Sequence, residues 1–85
     1  MNTAEQKFRE GYMGNQVTII DYTEQGNSIY VNLEVLDEGQ DKIYAEEVRF
    51  LDDLIYGDLV HAKRSPLTDG CRKETIQYLK NYFNR

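Results

Sequence analysis

The residues of this chain that could do chemistry are few and thinly spaced. A single histidine, His61, follows Asp52, Asp53 and Asp58, and a single cysteine, Cys71, stands beside Arg72 and Lys73. Three carboxylates and an imidazole could ligate a cation, but their spacing matches neither a calcium loop nor a zinc pattern, and a polar turn accounts for them better. A thiol near a helix start with cationic neighbours meets the conditions that lower its pKa. With no second cysteine to resolve it and one histidine to serve as base, Cys71 reads as a small half-buried structural residue. There is no P-loop, no dinucleotide-binding glycine pattern and no Gly-x-Ser-x-Gly elbow. The expectation is a protein without catalytic activity, cofactor or metal.

Tyrosine and acid are the types in excess. The chain has seven tyrosines and no tryptophan. Tyr30 alternates with Ile29, Val31, Leu33 and Val35, so it belongs to the opposite face of a strand. Tyr44, Glu34 and Glu46 are expected to share that face with it. Tyrosine is enriched in protein interfaces, whereas glutamates beside the rings repel phosphate, so Tyr30, Glu34, Tyr44 and Glu46 point to a protein partner with a basic surface. The same tyrosines also read as plain cover for a sheet.

Charge is unevenly distributed. The formal net charge is −5, with eleven acids against two bases from Asp21 to Asp58 and six bases against two acids from Leu59 to Arg85. An acidic middle could imitate nucleic acid toward a DNA-binding partner, or could simply solvate the fold. The alternative function is a nucleic-acid-binding module using Lys63, Arg64, Arg72, Lys73 and Lys80, but so few bases make a thin footprint beside so much repulsive charge. No apolar run approaches the roughly 20 residues of a membrane span, and the first residues lack a signal-peptide pattern. A cytoplasmic protein without membrane contact is the expectation, and one cysteine fits a reducing compartment.

The elements that would carry these residues follow from periodicity. At 85 residues, the chain is expected to form one domain over 1–85 with a modest core. Thr3 and Gln6 have capping-box spacing, and Phe8 and Tyr12 lie four apart, which predicts a short N-terminal helix ended by Gly11 and Gly14. Strands are expected over 16–23, 28–36 and 42–50, with turns at Gly26-Asn27 and around Gly39, where positive φ is available. Two parities conflict. In the first strand either Val17 and Ile19 or Ile20 and Tyr22 face the core. In the third, Ile43 and Ala45 oppose Val48 and Phe50, which predicts a bulge near Glu46-Glu47. A helical turn over 51–56 and a fourth strand over 59–63, with His61 pointing outward and Ser65-Pro66 as its stop, complete the sheet.

Ile76, Leu79 and Phe83, widened by Tyr82, form the stripe of a C-terminal helix capped by Thr68 or Asp69. Such a stripe needs an apolar sheet face to lie on. The whole reads as an α+β domain: a small antiparallel meander of three to four strands between a short N-terminal helix and a C-terminal helix. Its bent hairpins resemble the curvature of an SH3-like barrel in architecture alone.

Overall fold

A computed structural model describes residues 14–85, so the expected N-terminal helix lies outside the described residues. Four antiparallel strands, β1 (Gln16–Gln25), β2 (Ser28–Asp37), β3 (Lys42–Leu51) and β4 (Leu54–Tyr56), form one sheet in the order β1-β2-β3-β4. A 3-10 turn (Asp58–Val60) and the helix α1 (Asp69–Phe83) follow. The α+β meander with a C-terminal helix is as expected. The barrel is not: β1 and β4 stand at opposite edges and the sheet stays open.

The alternation in β2 decides where the core sits. Ile29, Val31, Leu33 and Val35 are at most 1% exposed, and Val48 and Phe50 stand across from Val31 and Ile29 on β3. Burial of such side chains contributes roughly 1.5 to 3 kcal/mol each, so this face sets the inside of the sheet. Cys71, Thr75 and Leu79, spaced by four along α1, seal it from above, with Leu59, Val60 and Leu67 closing the flank. Pairing of β2 with β3 runs unbroken from Ser28↔Leu51 to Asp37↔Lys42. The expected bulge near Glu46-Glu47 is therefore absent, and Ile43 and Ala45 accept the outer face opposite Leu36 and Glu34.

The register shift lies in β1 instead, between Ile19 and Asp21. Val17, Ile19 and Tyr22 pair with the inward Val35, Leu33 and Val31, while Ile20 is the extra residue. The reading with Val17 and Ile19 inward thus holds before the bulge; of the competing pair, Tyr22 turns inward after it and Ile20 does not.

Residues 51–63 correct the sequence reading most. The strand comes first and the helical turn second. Asp52, at φ 54, makes a tight turn with Asp53, so that Leu54–Tyr56 pairs back on β3. Gly57, at φ 143, then passes over β3; a Cβ there would stand 3.1 Å from Val48 Cγ1 and 3.2 Å from the Glu47 carbonyl oxygen. Only glycine permits that crossing, after which Leu59 and Val60 drop into the core as a 3-10 turn and His61 belongs to no strand. Gly39 is needed for space rather than positive φ: a Cβ would meet Thr68 Cγ2 at 3.3 Å, and the left-handed residue of that turn is Asp41.

Both ends of α1 are held. At its C-terminus Asn84 is left-handed, and the Arg85 N–H donates to the Lys80 carbonyl, a Schellman arrangement. The Arg85 guanidinium reaches the carbonyls of Asn27 and Asp52, tying two hairpin turns to the helix end. At its N-terminus, the buried carboxylate of Asp37 accepts from the Thr68 N–H (2.6 Å), the Thr68 hydroxyl (3.1 Å), the Gln40 amide (2.7 Å) and the Gly39 N–H (3.1 Å). The Thr68 hydroxyl is thereby spent on Asp37 and makes no side-chain cap of its own helix.

Burial pushes the Asp37 carboxyl up, and the hydrogen bonds from Thr68, Gln40 and Gly39 outweigh it, leaving the group below its ordinary value. A carboxyl whose folded pKa is depressed contributes stability in full above its unfolded pKa and loses it as the pH falls through the folded value. Asp37→Asn turns an amide toward donors, so it is expected to destabilise the fold by about 2 to 4 kcal/mol at neutral pH. In urea denaturation series the deficit should shrink as the pH is taken below the ordinary carboxylate range. A deficit that does not change with pH would mean that the charge of Asp37 plays no part.

Candidate protein-contact face

Because α1 covers one side of the sheet, no described element lies over the other. Strand alternation and register assign its rows. Thr23, Tyr30, Arg49 and Tyr56 form one row, and the Arg49 guanidinium lies 5.3 Å from the centre of the Tyr56 ring. Asp21, Asn32 and Glu47 form the next, with the Asn32 amide donating to Asp21 at 2.8 Å. Thr18, Glu34 and Ala45 follow, then Gln16, Leu36 and Ile43. Ile20, displaced by its bulge, helps to line a shallow depression of about 310 Å³ with Asn32, Glu34, Ala45 and Glu47. The face therefore carries Asp21, Glu34 and Glu47 with Ile20 among them, and Leu36 and Ile43 at one end. Ile20 and Ile43 are 55% and 62% exposed.

Of the four residues expected to share this face, Tyr30 and Glu34 do. Tyr44 and Glu46 do not, because the unbroken β2–β3 register sets them opposite the inward Val35 and Leu33. Tyr44 packs against the core, its hydroxyl donates to Gln40 Oε1 at 3.1 Å, and the Lys42 ammonium lies 5.5 Å from its ring centre. Glu46 is exposed at the rim of the depression. Sequence reasoning missed Asp21, Glu47, Arg49 and Tyr56. A correct register was the signal needed: the pairing sums of the 37–42 turn put Glu47 beside Asn32 and Arg49 beside Tyr30.

The basic residues do not make one free stripe. Arg64 pairs with Asp58 at 3.0 Å, while Arg72 and Lys73 share Asp69 at 2.7 and 3.2 Å. The hydrogen bond from Arg72, and then that from Lys73, hold the Asp69 carboxyl below its ordinary value. Lys80 Nζ donates to the Asp53 carbonyl at 3.1 Å. Lys63 is exposed, and its backbone N–H donates to His61 Nδ1 at 3.0 Å. That bond commits Nδ1 as an acceptor. Among the described residues, no three of His, Cys, Asp and Glu come together as a metal group, and no helix is long and apolar enough to cross a membrane.

Cys71 is fully buried rather than half-buried. Burial first, and the Asp37 charge second, push its thiol up to about 11, the reverse of what its cationic neighbours in sequence imply. Arg72 and Lys73 turn toward Asp69 instead. No family model, curated protein or solved structure matches the chain.

Native Cys71 is accordingly expected to react with iodoacetamide at neutral pH at least about 100-fold more slowly than an unfolded thiol, from its small thiolate fraction alone. Mass spectrometry of timed alkylation, with and without urea, measures this. Equal rates in the two conditions would contradict the buried placement.

Proposed function

We propose that the chain is a non-enzymatic interaction or regulatory protein that binds a protein partner through the outer face of its sheet. The observation that carries this reading is the exposure of Ile20 and Ile43 beside Asp21, Glu34 and Glu47, on a face that no described element covers. Apolar side chains left in water next to a carboxylate band suit a partner surface that is basic and partly apolar. Tyr30 and Tyr56, flanking Arg49, add the amphipathic rings that protein contacts favour. The contact set therefore centres on Tyr30 and Glu34 with Asp21 and Glu47, rather than on Tyr44 and Glu46.

Imitation of nucleic acid is a narrower form of the same proposal, in which the carboxylates stand where a basic partner expects phosphates. The nucleic-acid-binding alternative has less behind it. Three of its five cations already have carboxylate partners, and phosphate binding depends on free positive charge.

Charge reversal tests the reading. Combining Asp21→Lys, Glu34→Lys and Glu47→Lys on exposed positions is expected to change stability by no more than about 1 kcal/mol. Immobilised wild type and variant are compared for retention of proteins from an extract of the cells that make the chain, and the differentially retained protein is then titrated calorimetrically against both. A loss of at least about tenfold in affinity, about 1.4 kcal/mol, is expected. Equal retention and equal affinity would remove the outer face as the contact surface.

A further inference from the structure

The two edges of the sheet are not equally protected against pairing. β4 is three residues long, and the turn before it is held by Lys80 on the Asp53 carbonyl and by Arg85 on the Asp52 carbonyl. β1 is ten residues long, contains no lysine, arginine or proline, and among the described residues pairs with β2 alone. Short length, charge, proline and bulges are the devices that keep an edge strand from pairing. β1 has its bulge at Ile20 and two acids, Asp21 and Glu24, which repel acidic segments and leave basic ones free to approach. Beyond the bulge the ladder is regular over residues 21–25, and every residue of that run is exposed.

The two sides of this edge differ in chemistry. Adjacent strands lie about 4.8 Å apart, and a helix with its side chains is about 10 Å wide, so α1 covers two strands. The inward residues of β2 and β3 are buried beneath it, whereas Tyr22 on β1 is 45% exposed although it pairs with the buried Val31. Tyr22 meets the Phe83 and Tyr82 rings edge-on at 5.0 and 6.5 Å, and Tyr78 stacks on Tyr82 at 6.2 Å, which leaves a ledge of exposed rings beside the inward side of β1. Asp21 stands on the outward side, with Glu34 and Glu47 on the strands behind it, and Glu24 is inward near the end of the run. A strand added to this edge therefore sets one alternate set of side chains against aromatic rings and the other against carboxylates.

We propose that β1 is a docking edge for an extended segment of a protein partner, which pairs along residues 21–25 as a fifth strand, with apolar side chains on Tyr22, Tyr78 and Tyr82 and with lysine or arginine beside Asp21, Glu24 and Glu34. Main-chain hydrogen bonds hold such a segment, and its alternate side chains select it. A second copy of this chain suits the edge less well. Two copies of β1 would bring together Asp21 and Glu24 of both with no base of either strand to pair them, and the bulge at Ile20 opposes flat pairing over the full length. The inference rests on the contact-face reading, to which it adds the conformation of the partner and the line along which it attaches.

The probe is a capped peptide, Lys-Val-Lys-Tyr-Lys-Val-Lys, titrated into the isotope-labelled full chain and followed by NMR. A counterpart carries N-methyl groups on its three central residues, which keeps the side chains and removes the backbone donors of a strand. The unmethylated peptide is expected to shift the amides of residues 21–25 saturably and to slow the exchange of those that point away from β2, and the methylated one to bind at least about tenfold more weakly. Equal binding of the two, absence of binding, or shifts confined to Ile43, Ala45 and Glu47 would overturn strand addition, while the contact face itself is judged separately by the charge-reversal comparison. Slow exchange of the outward amides of β1 in the free chain would also overturn it, because the edge is then already paired. Dependence of that protection on chain concentration would assign the edge to a second copy.

Discussion

A charged carboxylate with no exposure to water is the constraint around which this molecule is arranged. Asp37 ends β2, and burying its charge would cost several kcal/mol without compensation. Four donors compensate it, from Gly39 and Gln40 in the following turn and from Thr68 at the start of α1, thirty-one residues away. Gln40 extends the link by donating to the Pro66 carbonyl as well. One side chain thus joins the end of a strand, a hairpin turn and a helix N-terminus, whose dipole itself favours the negative charge. Arg85 does the corresponding work at the other end, where it ties the helix to two turns through their carbonyls.

With both ends of α1 fixed, its axis has little freedom, and the distribution of exposed surface follows. The helix seals β2 and β3, leaves the β1 flank partly open and never approaches the outer face. Apolar residues on that outer face are therefore not short of a core to join; the unbroken register of β2 with β3 turns Ile43 and Ala45 outward, and the bulge in β1 does the same for Ile20. The carboxylates beside them, Asp21, Glu34 and Glu47, keep such a surface hydrated in the absence of a partner. Of the positive charge, Arg64, Arg72 and Lys73 are paired within the fold by Asp58 and Asp69.

Much of this was legible in the amino-acid sequence where a single physical signal acted alone. The alternation of β2 identified its inward residues, and the stripe of Ile76, Leu79 and Phe83 identified the helix and its docking side. Legibility failed where two local signals competed. Leu51, Leu54 and Ile55 have helical spacing, yet a left-handed Asp52 and the close crossing at Gly57 make that stretch a hairpin strand and move the helical turn onward. The parity conflicts in the first and third strands were both visible, but only one required a bulge, because edge strand β1 can absorb an extra residue whereas β3 is paired to β2 along its whole length. That misassignment carried Tyr44 and Glu46 to the wrong face of the candidate site. Asp37 was hidden for another reason: among eleven acids in the same region, nothing local distinguishes the one whose partners include Thr68.

Since the arrangement rests on Asp37 remaining charged inside the fold, its own titration is the most direct test. Carboxyl carbon shifts of the aspartates, followed by NMR as the pH is lowered while the chain stays folded, report each group separately. The account predicts that Asp37 titrates below the ordinary aspartate value of 3.8, in spite of its burial. A midpoint at or above that value would show a carboxyl that burial neutralises, and would contradict the charged clamp on which the placement of α1 depends.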